Sequence, residues 1–383
     1  MEKVGVAAAA AGTGAGSGVR LATALGGRGN ALNVLRVAFA VLVIVSHSWL
    51  LGTGSPGPRY AGLELGSWGV VGFFTISGYL IPRARLRTDL LTFLVRRGRR
   101  IYPAFWVCCA VTAFVATPLA AHLTRAHFSP LAALGYLTRN ATTWMVQPSI
   151  GPSVDSPVVD LIMVNPSLWT LAFELTCYAL AGALLTMDAV RRHRTTVAVA
   201  LYVVTATTVV TTGGSTRTAT WFIALFSAGW IVGTLEDRMV ASRATVVAAL
   251  AVGAVAALGH PVLAAVPLAY AILGSAALLP CRWFTTHDVS YGTYLYGWPI
   301  GHVLHAAGAP LVLLLPLSIV FALVAGAVSW IVVERRFTRA PGAPYGEALA
   351  VRPPTWWSRP RDRGPGHLPP GPAAPLRRPE RSP

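Results

Sequence analysis

Ten apolar segments of 17 to 23 residues leave this 383-residue chain few ways to fold. They fall at 31–52, 66–82, 101–121, 167–187, 195–213, 218–235, 243–259, 262–280, 289–307 and 311–333. About 20 such residues cross the hydrocarbon core of a bilayer as a helix. In lipid every backbone N–H and C=O must pair within the protein, so only helices and closed barrels span. These runs are too long and too continuous for barrel strands. The expected fold class is all-α, a polytopic membrane bundle of about ten transmembrane helices. Composition agrees: 54% of residues are hydrophobic, 12% are charged, and the mean hydropathy is +0.57.

Arginines orient the segments. Arg83, Arg85, Arg87, Arg96, Arg97, Arg99 and Arg100 lie between the second and third. Arg191, Arg192 and Arg194 follow the fourth, Arg238 and Arg243 the sixth, and Arg282 the eighth. All fall on one side of the membrane, and the positive-inside rule makes that side cytoplasmic, with both termini there and the chain multi-pass in the cell membrane. A formal net charge of +17 would suggest nucleic acid in a soluble protein. Here the arginines flank apolar runs and no basic–aromatic module is visible, so the expected partner is the lipid bilayer and not nucleic acid.

Three regions are expected: a disordered N-terminal tail at 1–30, a transmembrane domain at 31–338, and a disordered Pro/Arg-rich tail at 339–383. The last has a disordered, lipid-attracted composition, with twelve of the 28 prolines in residues 341–383. One long loop, about 122–166, lies on the far side and reads equally well as an acceptor-facing cap or a connector. Cys108, Cys109, Cys177 and Cys281 show no CxxC spacing, so reduced thiols are expected.

Within the first segment, Arg36 and His47 stand eleven residues apart. At about 100° per residue they return to within roughly 20° of one helix face, about 16 Å apart along the axis. Ionisable groups at such depth are costly and by default mark a functional site. His47 should lie about 7 Å from the outer surface. Glu174, in SLWTLAFELTCY, should lie about 10 Å below that same surface if its segment begins near Ser167. An imidazole and a carboxylate at matched depth on separate helices form a plausible acid–base pair. Either residue alone is as well explained by packing; with Arg36 beside them the packing reading weakens.

Gly66, Gly69 and Gly72 recur every three residues in the second segment, with Gly78 beyond. Such small residues let another helix, or a slender ligand, approach the backbone. The inner loop RRGRRIYPAFW serves topology, and equally suits the phosphates of a nucleotide-bearing ligand. Tyr291, Tyr294, Trp298, His302 and His305 share one face of the ninth segment. An aromatic stripe is usually packing. His302 and His305 lack a carboxylate partner motif, so no metal is expected.

In order along the chain, these segments resemble the acyltransferase 3 family of integral membrane acyltransferases. The matching stretches are Arg36 with His47, GVVGFFTISGYLI, RRGRRIYPAFW, SLWTLAFELTCY, VSYGTYLYGWPI and VERRF, together covering about residues 31–338. The resemblance implies transfer of an acyl group, often acetyl, from acyl-coenzyme A to a hydroxyl of a carbohydrate, glycolipid or glycosylated acceptor outside the cytoplasm. It makes His47 the catalytic candidate, as base or acyl carrier, with Arg36 its motif partner and Glu174 the acid of its segment. Arg96, Arg97, Arg99 and Arg100 become the basic motif at the donor entrance. The donor's thin arm is expected to thread past Gly69, Gly72 and Ser77, between the first two segments. One departure is Gly297, where many members carry histidine. A transporter or flippase of a glycolipid or anionic solute would also use buried charge, but it predicts an internal repeat or broken helices that the sequence does not show. A silent scaffold predicts that the Arg/His/Glu set is dispensable.

Overall fold

The computed structural model describes residues 18–27, 29–150, 163–213, 215–279, 281 and 288–338. The tails at 1–17 and 339–383, and the Pro/Ser/Asp stretch at 151–162, lie outside these. The chain begins with β1 (Val19–Arg20), α1 (Leu21–Gly26) and α2 (Leu32–Thr53), then the hairpin β2 (Arg59–Tyr60) and β3 (Leu63–Glu64). Next come α3 (Leu65–Arg85), α4 (Leu90–Val111), a π turn at Thr112–Ala116, α5 (Thr117–Thr124) and α6 (Pro130–Arg139). They are followed by α7 (Thr170–Leu184), α8 (Asp188–Arg192), α9 (Arg194–Thr211), α10 (Ala219–Leu235), β4 (Val240–Ala241) and α11 (Arg243–Gly259). A 3₁₀ turn at Pro261–Ala264 leads into α12 (Ala265–Leu278). The described chain ends with α13 (Ser290–Ala306), α14 (Leu311–Ser329), a π turn at Trp330–Glu334 and α15 (Arg335–Thr338).

Each of the ten apolar segments is helical, and six described helical stretches are long and apolar enough to cross a membrane. The outer faces of α9, α11 and α14 carry Val203, Val204, Val252, Val255, Val320, Phe321 and Val324 uncovered. So much exposed apolar surface suits a protein whose surroundings are hydrocarbon.

Two boundaries differ from expectation. Residues 18–26 belong to the folded part and not to the tail: β1 pairs with β4, and Leu21 and Leu25, four apart on one face of α1, are both buried. The arginine run is not a loop. Asp89 caps α4 by accepting from the Thr92 N–H at 2.9 Å, and the arginines after it are good helix formers, so the helix starts eleven residues before the apolar run. α4, the π turn and α5 together form a 35-residue stretch, Leu90–Thr124.

Glycines set the closest crossings. A β-carbon on Gly78 of α3 would collide with the carbonyl of Phe226 on α10, and one on Gly229 would collide with the carbonyl of Thr75. Helices that lack a hydrophobic drive to associate in lipid depend on such close approach. Gly78→Ala should therefore lower stability by about 1–3 kcal/mol by forcing α3 and α10 apart. Helix propensity alone predicts the opposite sign, about 1 kcal/mol of gain. Thermal unfolding in detergent separates the two.

Candidate active site

Eleven residues of helix separate Arg36 from His47 on α2, and α3 runs antiparallel beside them. The Gly66 N–H donates to Ser46 Oγ at 2.7 Å, and the Phe39 ring covers Gly72, which fixes the register of the pair. Ser77, eleven residues beyond Gly66, thus lies about 16 Å deeper than His47, level with Arg36. Here a cavity of about 90 Å³ opens, lined by Arg36, Ser77, Arg97, Arg100, Glu174 and Tyr178, with Tyr291 and Tyr294 of α13 closing one side.

An ionic network braces this cavity. Asp288, just ahead of α13, accepts from Arg36, from Arg100 Nη2 at 2.6 Å and from the Ser290 hydroxyl at 2.5 Å. Burial alone would raise the Asp288 pKa. The Arg36 and Arg100 guanidiniums outweigh burial and hold its carboxyl well below the usual carboxylate range. Arg100 also donates to Glu334, which accepts from Ser329 Oγ at 3.0 Å as well. The π turn at Trp330–Glu334 inserts an extra residue into that helical turn and aims Glu334, 1% exposed, inward. Arg100 and Arg97, three apart on α4, face the cavity; Arg96 and Arg99, on the other face, are exposed.

Glu174 meets Ser77 and Tyr178, not His47. Ser77 Oγ donates to its carboxylate at 3.2 Å, and the Tyr178 hydroxyl makes a short hydrogen bond to the same oxygen. The expectation of matched depth fails because the chain dives inward before α7 starts: Asn165, Ser167 and Leu168 are all buried. A proline on the neighbouring helix anchors this dive. Pro299 has no N–H, so the Leu295 carbonyl on α13 loses its helical partner. It accepts instead from Asn165 Nδ2 at 3.1 Å and from Cys108 Sγ at 3.4 Å. Glu174 is thereby set level with Arg36, about 16 Å from the imidazole.

His47 lies apart from the cavity, half-buried. Its ring sits edge-on to Trp298, centroids 5.0 Å apart, and its Nδ1 is buried without a hydrogen-bond partner. Gly297, where the resemblance led one to expect histidine, is packed on Ile44, so a side chain there would displace α2. The glycine stripe of α3 also departs from expectation. Gly69 meets the Phe39 carbonyl and Val43, and Gly72 the Phe39 ring. Those positions are filled by α2, leaving no passage between the two helices there, and of the expected arm-binding set only Ser77 lines the cavity.

Asp288, Glu334, Tyr178 and Thr170 were not singled out from the sequence. Thr170 shares a 2.7 Å hydrogen bond with the Tyr294 hydroxyl at the cavity wall. The available signal was scarcity: with 14 acidic residues against 31 basic, an acid beside an apolar segment is a strong candidate to neutralise a buried arginine. Among the described residues, no cluster of three or more His, Cys, Asp or Glu is arranged to hold a metal ion.

A family model described as an acyltransferase domain matches residues 30–334, the region that builds both the cavity and the His47 site. The chain belongs to the acyltransferase 3 family. It is similar to an O-acetyl transferase of Shigella phage Sf6, 27% identical over 333 residues, which cover 81% of this chain and 96% of the relative. It is also similar to nodulation protein 10 of Rhizobium leguminosarum bv. viciae, 31% identical over 163 residues, which cover 40% of this chain and 43% of that protein. No solved structure matches. This acyltransferase 3 member is an enzyme, an O-acyltransferase.

Proposed function

We propose that the enzyme moves an acyl group, most simply acetyl, from cytosolic acyl-coenzyme A to a hydroxyl of a carbohydrate, glycolipid or other glycosylated acceptor beyond the cell membrane. In this reading all ten segments span, both termini are cytoplasmic, and the arginine-rich end faces the donor. The O-acetyl transferase relative supports the acetyl assignment. The observation that carries the reading is the placement of two sites on one helix. A polar cavity surrounds Arg36 at one end of α2, and an imidazole lies about 16 Å away at the other. That separation lets a donor enter from one side and an acceptor from the other, with the donor's arm reaching from the cavity toward the imidazole.

Charge divides the donor into parts. Arg36, Arg97 and Arg100 at the cavity are balanced by Glu174, Asp288 and Glu334, so the cavity offers hydrogen bonds more than net charge. It suits the donor's amide-bearing arm, with Arg97 donating to a carbonyl of that arm. The exposed Arg96 and Arg99 then take the phosphates. His47 removes the acceptor hydroxyl's proton as its oxygen attacks the thioester carbon. The C–S bond breaks, and the proton passes to the departing thiolate. A second reading has one observation in its favour: Glu174, not His47, lines the cavity, which makes it the base if the chemistry occurs there.

Thiol release from acetyl-coenzyme A by the purified enzyme tests the reaction. Arg97→Ala should raise KM roughly tenfold for both acetyl-coenzyme A and acetyl-pantetheine, because a hydrogen bond from a charged group is lost. The Arg96→Ala/Arg99→Ala double variant should raise KM for acetyl-coenzyme A alone. Equal effects of the double variant on both donors would remove the phosphates from those two arginines.

A further inference from the structure

Among the described residues, eight buried side-chain atoms have no hydrogen-bond partner, and three of them belong to one region at the His47 end of the bundle. They are His47 Nδ1, Trp298 Nε1 and Ser318 Oγ. Trp298 and Ser318 are fully buried, and the Trp298 ring stands 5.0 Å from the imidazole at an interplanar angle of 89°. Gly301, one turn beyond Trp298, ties Ser318 to the same region: a β-carbon there would lie 3.3 Å from the serine oxygen.

A buried indole N–H normally finds an acceptor, and leaving it unpaired destabilises the fold. A phenylalanine wedged against Leu51 and Leu314, as Trp298 is, would avoid that cost. The fold supplies no acceptor for this donor, and it stands beside the residue read above as the base. The geometry points to Trp298 Nε1–H as the donor that receives the acyl carbonyl oxygen during transfer, making Trp298 a catalytic residue of this enzyme. The inference rests on the reading of His47 as base.

In that step the acceptor oxygen bonds to the thioester carbon, and the carbonyl electron pair moves onto its oxygen. The resulting oxyanion accepts from Trp298 Nε1–H. The pair then returns, the C–S bond breaks with its electrons going to sulfur, and the proton held by His47 passes to the thiolate. Arg36, about 16 Å away along α2, is too distant to bond that oxygen. The packing of the indole against Leu51 and Leu314 holds the N–H in place before charge develops, the condition under which such a donor lowers a barrier.

Trp298→Phe keeps a ring in the wedge and removes the N–H. It should lower kcat by at least about tenfold, with KM for acetyl-coenzyme A unchanged and the unfolding temperature not lowered. Site-specific replacement of Trp298 by benzothienylalanine preserves the indole outline with sulfur in place of N–H, and covers the case in which phenylalanine disturbs folding. It should show the same fall in kcat, whereas 7-azatryptophan, which retains the N–H, should not. Undiminished kcat in the benzothienyl enzyme, with His47→Ala inactive, overturns this inference and leaves the assignment of His47 standing. An active His47→Ala enzyme overturns both.

Discussion

Replacing His47 by alanine should lower acyl transfer by about two to four orders of magnitude, the usual contribution of a positioned general base. The same change should leave the fold almost untouched. Nδ1 has no hydrogen-bond partner to lose, and the ring meets Trp298 edge-on, a contact of about 0.5–1.5 kcal/mol. Thiol release from acetyl-coenzyme A and thermal unfolding of the same detergent preparation therefore separate chemistry from stability. Retained turnover would take the base out of α2 and transfer the role to Glu174, whose Gln variant should then be the inactive one. Loss of both activity and fold would mean that the imidazole is a packing residue.

Asp288→Ala should be the most destabilising single change in the ionic network, costing about 3–5 kcal/mol. Asp288 is the carboxylate that accepts from both Arg36 and Arg100. Without it Arg36 loses the ion pair it makes among the described residues, while Arg100 keeps Glu334. A largely enclosed guanidinium left without its counter-charge keeps a desolvation cost that nothing offsets, and that penalty, more than the attraction itself, is what the measurement reads. The sign of the pH dependence follows from the depressed carboxyl pKa. The contribution is fully present above the unfolded-state pKa and is lost only as pH falls through the much lower folded value. The wild-type network should thus stay closed across neutral and mildly acidic pH, and stability over that range should not fall on its account. A melting temperature for Asp288→Ala equal to wild type would show that water already solvates these charges and that the network braces nothing.

Much of this was legible in the residue order. The helicity of the apolar segments follows from local apolarity, which needs no knowledge of neighbours. The spacing of Arg36 and His47 transferred intact because both lie on one uninterrupted helix, α2. The division of the arginine run was legible in principle as well: positions 97 and 100 are three apart and share a face, which leaves 96 and 99 opposite. It was hidden by reading the run as a loop.

The depth of Glu174 was not legible. It depends on where α7 begins, and that depends on Asn165 reaching a carbonyl left free by Pro299, 130 residues from it in sequence at Leu295. Asp288 pairs with Arg36 across 252 residues, a separation over which no periodicity carries information. The glycine stripe suits either a slender ligand or a neighbouring helix, and which of the two it admits depends on what the other helix presents. Here Phe39 and Val43 fill the space.

Residue order alone determined the helical class, the apolar lengths and the family pattern, because hydropathy acts through the solvent each residue would meet. Only the tertiary structure decided which buried charges neutralise one another, and that the carboxylate and the imidazole occupy different levels of the bundle. Those outcomes depend on the relative heights of packed helices, set by contacts such as Ser46 with Gly66 and Asn165 with Leu295.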